Sequence, residues 1–389
     1  MKDIKKFLLP DYFDSFACKM GACRHACCEG WPISFSLNDY FKLVGAECSP
    51  ELRGKLDRAV RVALHPTPEA YAQISPCYDG SCPMRREDGL CTIHAELGED
   101  LLSAVCRLYP RGVRMGKSHE CSCANSCEAV LEILLTKKDA MTFSERPMDF
   151  SVSEPSERQF HFHSAGRERE IRLWLIRFMQ NRSYPIPKRI LLLGEELTAM
   201  DEALSKNDEA RIDRLLSGEE VLETTEMTEH GHNHLRFGME IAKRMVEIMD
   251  ERSDSIREYG EAALAYFGDG EEGSRRYLSA ENRFRQLIPD WEVWFEQMMV
   301  NYMFFSQFPF QDRPVSFQDE YLALCAVYVL LRFLLLGWMS EHQGMDTLVD
   351  VAAAAFRLIE HTEFDRYAGP ILKQLGCDDR AHLYNILCL

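Results

Sequence analysis

Cysteines are concentrated at one end of this chain. Of its 15 cysteines, 12 lie within residues 1–127. All of these except Cys48 form three closely spaced sets: Cys18-x4-Cys23-x3-Cys27-Cys28, then Cys77-x4-Cys82-x8-Cys91 followed by Cys106, and then Cys121-x-Cys123-x3-Cys127. Thiols a few residues apart on a loop can converge on one ion or cluster, and four sulfur ligands suit zinc or iron–sulfur. The pattern predicts a loop-rich segment that is held together by metal.

The first residues bear on the compartment and therefore on the redox state of these thiols. The apolar run Phe7-Leu8-Leu9 is too short for the hydrophobic region of a signal peptide. We therefore expect a cytoplasmic protein, and clustered cysteines in a reducing cytosol bind metal more often than they form disulfides.

Eight cysteines are predicted as metal or cluster ligands: Cys18, Cys23, Cys27, Cys28, Cys82, Cys91, Cys106 and Cys127. Cys127 is predicted at the first turn of a helix, and Arg107 follows Cys106, so both thiols are expected to have lowered pKa values. A free cysteine can instead be a small buried hydrophobic residue. We favour that interpretation for four others: Cys48, Cys325, Cys377 and Cys388. Three remain open between the two interpretations: Cys77, Cys121 and Cys123.

Composition separates the cysteine-rich part from the rest of the chain. The protein is 46% hydrophobic and 28% charged, which is typical of a globular protein. Its formal net charge of −17 lies entirely in residues 128–389, because acidic and basic residues cancel in residues 1–127. An acidic surface does not displace counterions from phosphates, so we expect no nucleic-acid partner.

Hydrophobic periodicity predicts a mostly α protein in which a loop-rich cysteine-cluster head packs on an α-helical body. The head is predicted at residues 1–140, a polar linker at 141–166 and the body at 167–389. The apolar run Tyr321–Met339 is long enough to span a membrane, but Arg332 lies in its middle and no second such run exists. We predict a buried core helix and no membrane span.

The cysteine-rich sequence resembles a known family. Residues 16–31, FACKMGACRHACCEGW, are similar to the opening motif of the flagellin lysine-N-methylases of the FliB type. Other stretches fit the same pattern: Cys82-Pro83, Asp88 to His94, Cys106 to Arg111, Ser126 to Ala129, Asn301-Tyr302, Phe308 to Phe310, and His361. The resemblance is strong over about residues 10–135 and weaker over 284–376.

This resemblance implies transfer of a methyl group from S-adenosylmethionine to lysine ε-amines of flagellin or a similar surface protein. It also implies a [4Fe-4S] cluster held by the eight matching cysteines, but it leaves open how they divide among centres. A related class of cysteine-cluster proteins suggests an alternative, a non-catalytic zinc or iron chelator whose helical domain docks a partner. No glycine-rich dinucleotide motif and no radical-SAM C-x3-C-x2-C spacing is present.

Lysine methylation needs a deprotonated amine, because the ordinary pKa of a lysine side chain is near 10.4. Tyr109 beside Arg111 is the predicted catalytic pair, since a nearby cation lowers the pKa of a phenol. The alternative is a buried structural tyrosine. A second feature is an aromatic run that could wall a lysine or sulfonium pocket by cation–π contact, or be ordinary core: Tyr302, Phe304, Phe305, Phe308 and Phe310.

Overall fold

The computed structural model describes residues 4–25, 27–29, 31–115, 119–150, 166–220, 233–251, 253–311 and 315–389. Helices make up 61% of the structure, and the described residues contain 16 α-helices and seven short strands. The prediction of a mostly α fold is confirmed.

The head contains short helices that begin at recognisable caps. Ser36 and Ser49 each accept a hydrogen bond from the backbone N–H three residues later, at 3.1 Å, and Pro50 occupies the first position of the second helix. The head helices are α1 (Leu37–Gly45), α2 (Pro50–Ala59), α3 (Thr92–Leu97), α4 (Ala104–Leu108) and α5 (Glu128–Thr136).

Two small sheets contain the strands of the head and one strand, β7, that follows it. The strands are β1 (Lys5–Pro10), β2 (Ile33–Phe35), β3 (Val60–Val62), β4 (Ala72–Ile74), β5 (Arg111–Arg114), β6 (Glu120–Cys123) and β7 (Phe143–Met148). One sheet has the order β5-β6-β1-β7, in which β1 runs parallel to β6 and antiparallel to β7. The other is antiparallel, with the order β2-β4-β3. The first sheet brings the start of the chain beside the cysteine-bearing strand β6.

The described residues of the body form helices and no strands. The helices are α6 (Glu168–Met179), α7 (Ile186–Ser205), α8 (Glu209–Ser217), α9 (Asn233–Asp250), α10 (Arg257–Phe267), α11 (Gly270–Leu287), α12 (Trp291–Phe305), α13 (Phe317–Met339), α14 (Met345–His361), α15 (Phe364–Gln374) and α16 (Arg380–Leu387). Helices α12 and α13 are apolar on nearly all sides, which is typical of central helices.

Helix α13 contains the long apolar run. It is long and apolar enough to cross a membrane, but 94% of its most apolar window is buried inside the protein, as we expect of a core helix. Arg332 in its middle is 2% exposed and donates to Leu389 O at 2.8 Å and to Glu281 Oε1 at 2.9 Å. Its guanidinium also lies 4.4 Å from the Trp291 ring centroid. These contacts offset the free-energy cost of burying the Arg332 charge.

The described residues form two hydrophobic cores. A small core contains Ile33, Phe35, Leu43, Leu52, Leu56, Ala72, Ile74, Met84, Ile93 and Leu102. The large core combines the body helices with β1, β6 and α5. Strand β7 lies in the segment that we predicted as a linker, and residues 151–165 of that segment lie outside the described residues. The division into head, linker and body stays a prediction.

Candidate active site

Three predicted ligands pack against the small core, and the charge of a fourth, Cys28, acts on all three. Cys91 directly precedes α3 and Cys106 lies in α4, and both pack with Cys82 against that core. The pKa of the Cys82 thiol is raised to about 12, first by burial and then by the negative charges of the other thiolates, which include that of Cys28. We call Cys28, Cys82, Cys91 and Cys106 the first sulfur group.

Of the other four predicted ligands, Cys18 and Cys23 lie near Cys127 at the start of α5, and Cys27 lies near Cys18. Cys127 is the N-cap residue of this helix, and its pKa is raised to about 12, first by burial and then by the charges of Cys23 and Cys18. Cys27 connects the two sets, because its thiol and that of Cys28 shift each other's pKa in opposite directions, that of Cys27 upward and that of Cys28 downward. We call Cys18, Cys23, Cys27 and Cys127 the second sulfur group.

Two expectations about these thiols are wrong. Backbone N–H groups at the start of α5 do favour the thiolate of Cys127, as predicted, but burial raises its pKa by more than they lower it. Burial likewise raises the pKa of Cys106 to about 11. Burial thus favours the protonated thiol at both positions.

The donor chemistry of each group fits a zinc or iron–sulfur centre, since each offers four soft ligands. Among the described residues, however, no three His, Cys, Asp or Glu side chains are close enough together to enclose a metal ion. The described residues thus contain no assembled metal site, and ligation by the eight cysteines stays a prediction. Of the three cysteines left open, Cys121 and Cys123 are buried in the large core and Cys77 is exposed.

Ion pairs attach the first cysteine loop to α5 and to the body. Lys19 Nζ lies 3.0 Å from Glu128 Oε1 and 2.7 Å from Glu132 Oε1. The backbone N–H of Arg24 donates to Glu128 Oε2 at 3.1 Å, and its Nε donates to Asp350 Oδ1 at 2.8 Å. Because Asp350 lies in α14, this loop is held between the head and the body.

Tyr109 lies between the sulfur groups and the end of α14. Its O–H donates to Ser126 Oγ at 3.1 Å, and Ser126 Oγ lies 2.8 Å from His361 Nε2. The reason that we gave for Tyr109 as a base is wrong, because burial raises the pKa of this phenol. Arg111 lies 5.0 Å over the Phe16 ring and its charge acts on Cys121. A catalytic role for Tyr109 and Arg111 stays a prediction.

His361 is the last residue of α14, and its ring packs at a tilt against aromatic rings of the head. Its ring centroid is 5.0 Å from that of Trp31 and 5.9 Å from that of Tyr109. Its pKa is lowered to about 4 by loss of hydration and by the charge of Arg357, whose guanidinium lies 5.4 Å from the Trp31 ring. His361 is therefore a neutral imidazole at physiological pH.

Glu360 is the residue that sequence reasoning missed. Its Oε1 accepts the backbone N–H of Asn125 at 3.0 Å, and its Oε2 accepts that of Ser126 at 2.9 Å. Burial raises the pKa of this carboxyl to about 7 although both hydrogen bonds lower it. From the sequence, an acidic residue near the end of an amphipathic helix is expected to be exposed to solvent. Only the tertiary structure places it beside the turn that precedes Cys127.

A buried amide network fixes this turn. Asn301 Nδ2 donates to Asn125 Oδ1 at 2.7 Å and to Cys123 O at 2.8 Å, and Asn301 Oδ1 accepts the Tyr12 O–H at 2.7 Å. Asn125 and Asn301 are both 0% exposed. The Asn301 side chain thus joins α12 of the body to β6 and to the residues after β1 in the head.

A cavity of about 240 Å³ opens beside Glu360. Asp365 and Gln311 line it, as do two residues of the predicted aromatic run, Tyr302 and Phe305. The other three residues of that run are buried in the large core: Phe304, Phe308 and Phe310. The aromatic run therefore divides between a pocket wall and ordinary core.

Comparison with known proteins identifies one family model that matches the helical body and several individual proteins that align with part of the chain. The family described as FliB lysine N-methylase C-terminal domain matches residues 172–386. The chain is 29% identical over 146 residues to the lysine-N-methylase of Salmonella choleraesuis (strain SC-B67), covering 35% of this chain and 34% of that protein. It is 27% identical over 139 residues to the flagellar biosynthetic protein FliU of Salmonella muenchen, covering 35% and 81% respectively.

A second lysine-N-methylase, from Salmonella typhimurium (strain LT2), is 29% identical over 139 residues, again covering 35% of this chain and 34% of that protein. The chain thus aligns with about a third of the length of the curated methylases. No solved structure matches. The family match spans more than half of the chain and contains Tyr302, Glu360 and Asp365, which line the cavity. On this match, the chain belongs to the FliB lysine N-methylase family.

Proposed function

We propose that this protein transfers a methyl group from S-adenosylmethionine to lysine ε-amines of flagellin or a similar surface protein. The observation that carries the proposal is membership of the FliB lysine N-methylase family over residues 172–386. The relatives named lysine-N-methylase support the reaction, and the relative named as a flagellar biosynthetic protein supports a flagellar substrate.

The reaction needs a neutral amine and a place that excludes water. The ε-ammonium of lysine first loses a proton to a base, because its nitrogen has no free electron pair while it is protonated. The amine then attacks the methyl carbon, the carbon–sulfur bond of the sulfonium breaks, and S-adenosylhomocysteine leaves. The products are N-methyl-lysine, S-adenosylhomocysteine and one proton. We propose the cavity beside Glu360 as the place for this step, because it is lined by polar and aromatic side chains.

We further propose that the sulfur groups hold the [4Fe-4S] cluster that the resemblance implies. When bound, such a cluster supplies a Lewis-acidic iron or an electron-transfer site. The residues of this chain provide four thiols in each group, and the ion pairs of Lys19 and Arg24 position the first cysteine loop. Zinc suits the same thiols, and a colourless zinc protein without methylase activity is the alternative outcome.

The free cysteines and the net charge bear on the compartment of the protein and on the kind of partner it binds. All 15 cysteines are free thiols, which suits a reducing compartment, so we propose a cytoplasmic enzyme that modifies its substrate there. The net charge of −17 suits a partner with exposed lysines and does not suit a nucleic acid.

The test is anaerobic purification followed by reaction with recombinant flagellin and S-adenosylmethionine. Iron, sulfide and zinc are measured in the purified protein, and lysine methylation is measured by mass spectrometry of flagellin peptides. We expect a brown iron–sulfur protein that adds methyl groups to flagellin lysines. Methylation of no lysine by iron-loaded protein would reject the proposed activity, and bound zinc without iron would reject the cluster.

A further inference from the structure

The cavity beside Glu360 is formed by three helices of the body, the segment that follows α12 and one strand of the head. Tyr302 and Phe305 come from the last turn of α12, Glu360 from the end of α14, and Asp365 from the start of α15. Arg114 comes from β5 of the head. Glu360 connects the cavity to the turn before Cys127, because its Oε2 also accepts the backbone N–H of Ser126.

The lining of the cavity combines two carboxyl groups with aromatic rings. Asp365 is 4% exposed, and Glu360 binds the turn of Asn125 and Ser126 through both of its oxygens. A carboxylate has about four lone-pair positions, and the two backbone N–H groups occupy only part of them. Aromatic faces beside carboxylates attract an alkylammonium through cation–π and ionic interactions together.

Arg114 is the one basic residue among the described residues that line the cavity. Its guanidinium lies 6.0 Å from the centroid of the Phe305 ring, and its Nη2 donates to Phe305 O at 3.4 Å. These contacts hold its charge against the aromatic side of the cavity. Among the described residues of the lining, two carboxyl groups accompany this one cation, and an ionised Glu360 therefore suits a cationic occupant.

The hydroxyl of Ser306 gives an independent indication of a polar occupant. Ser306 lines the cavity, and its Oγ is buried with no hydrogen-bond partner among the described residues. A buried hydroxyl without a partner costs about 1–3 kcal/mol. A group that donates several hydrogen bonds, as an ammonium does, would satisfy it.

We propose that this cavity binds the ε-ammonium end of the lysine that is to be methylated, and that Glu360 is the base that accepts its proton. This inference rests on the proposed lysine methylation and adds its substrate site. The proton moves from the lysine nitrogen to a Glu360 oxygen, which leaves the nitrogen lone pair free to attack the methyl carbon. After methyl transfer, Glu360 returns the proton to water.

Direct binding of a small probe tests the site without requiring turnover. The probe is Nα-acetyl-lysine methylamide, and its uncharged control is Nα-acetyl-norleucine methylamide; both are titrated into the full chain by calorimetry. We expect Glu360→Gln to weaken lysine-probe binding by about tenfold or more, as expected for loss of an ionic hydrogen bond. The norleucine analogue should bind weakly and equally to wild type and variant.

Two further variants separate the site from folding and from nearby charge. Phe305→Leu removes an aromatic wall without touching the Asn125–Ser126 turn, and should weaken lysine-probe binding by about threefold. Glu363→Gln is the matched control, because Glu363 is exposed, pairs with Arg366 and does not line the cavity. It should bind the probe as wild type does. Unchanged binding in both Glu360→Gln and Phe305→Leu would overturn the proposal.

A sulfonium is also a cation, so S-adenosylmethionine is titrated into the same variants. We expect its affinity to be unchanged in Glu360→Gln. A loss of S-adenosylmethionine affinity with unchanged lysine-probe binding would overturn the lysine assignment. Probe binding that depends on Glu360, in a protein that methylates no substrate, would support this site while rejecting the proposed function, so the two failures are distinguishable.

Discussion

The backbone N–H of Ser126 donates to Glu360 Oε2 at 2.9 Å, although the two residues are 234 positions apart. Ser126 directly precedes Cys127, the N-cap residue of α5, and Glu360 is the penultimate residue of α14. The hydrogen bond therefore places a carboxyl group of the body against the turn that carries a predicted ligand. Glu360 both shapes this turn and lines the adjacent cavity.

Asn301→Leu should destabilise the protein. Asn301 Nδ2 donates to Asn125 Oδ1 and to Cys123 O, and its Oδ1 accepts the Tyr12 O–H. Leucine has nearly the same size but leaves these buried groups without their partner. We expect a loss of about 2–4 kcal/mol in the free energy of unfolding, measured by urea denaturation.

The matched control for this variant is Asn282→Ala. Asn282 lies on the outer side of α11, so its replacement should change the free energy of unfolding by less than about 0.5 kcal/mol. An Asn301→Leu variant as stable as the control would contradict a structural role for the amide network.

The sequence predicts features of this structure that depend on neighbouring residues better than features that depend on contacts between distant segments. Helix starts such as those at Ser36 and Ser49 follow from side chains within four residues, and both are visible in the sequence. The clustering of thiols is equally local in Cys18 and Cys23. Local spacing does not predict that Cys127 lies near Cys18 and Cys23, because that proximity depends on how α5 packs against the first cysteine loop.

The pKa errors have the same origin. Adjacent positions predict a lowered pKa for Tyr109, but the depth of burial, which depends on the packing of distant segments, raises it. Glu360 was missed because its partners Asn125 and Ser126 lie in another part of the chain. The pattern of residues within a helix predicts that the helix forms. Which residues meet at the candidate site depends on how the helices and strands pack together.

Tyr109→Phe should retain most of the methylase activity. Since burial raises the pKa of Tyr109, the phenol keeps its proton at neutral pH and is a poor base. The variant loses one hydrogen bond to Ser126, so we expect kcat to fall by less than about tenfold. Rates are measured with flagellin and S-adenosylmethionine. A decrease of several orders of magnitude at unchanged stability would restore Tyr109 as the base.

Cys82→Ser should lower the metal content of the purified protein. Cys82 belongs to the first sulfur group, whose thiols are close enough to raise its pKa. Serine is a hard, protonated ligand that binds iron and zinc weakly. We expect loss of iron and sulfide per chain together with a lower melting temperature, because metal binding contributes to folding free energy.

Cys77→Ser is the matched control, since Cys77 lies five residues away on the exposed surface and outside both sulfur groups. It should retain its full metal content. Equal metal content in the two variants would remove Cys82 from the set of ligands.

Glu196→Gln should stabilise the protein at high pH. Glu196 lies buried in α7, and its pKa is raised from 4.5 to about 7, first by burial and then by the charges of Glu195 and Glu220. The folded state thus binds this proton more tightly than the unfolded state does. Stability is lost as the pH rises from about 4.5 through 7, by up to about 3 kcal/mol. A neutral glutamine avoids this loss.

Urea denaturation near pH 5 and near pH 8 measures this effect. We expect the free energy of unfolding of Glu196→Gln to exceed that of wild type by less than about 1 kcal/mol near pH 5 and by about 2–3 kcal/mol near pH 8. The difference grows because ionised Glu196 destabilises the folded state fully only above its folded-state pKa. Glu219→Gln, at an exposed position of the same region, is the control for net charge and should gain little at either pH. A gain in Glu196→Gln that is independent of pH would mean that packing, and not ionisation, limits stability at this position.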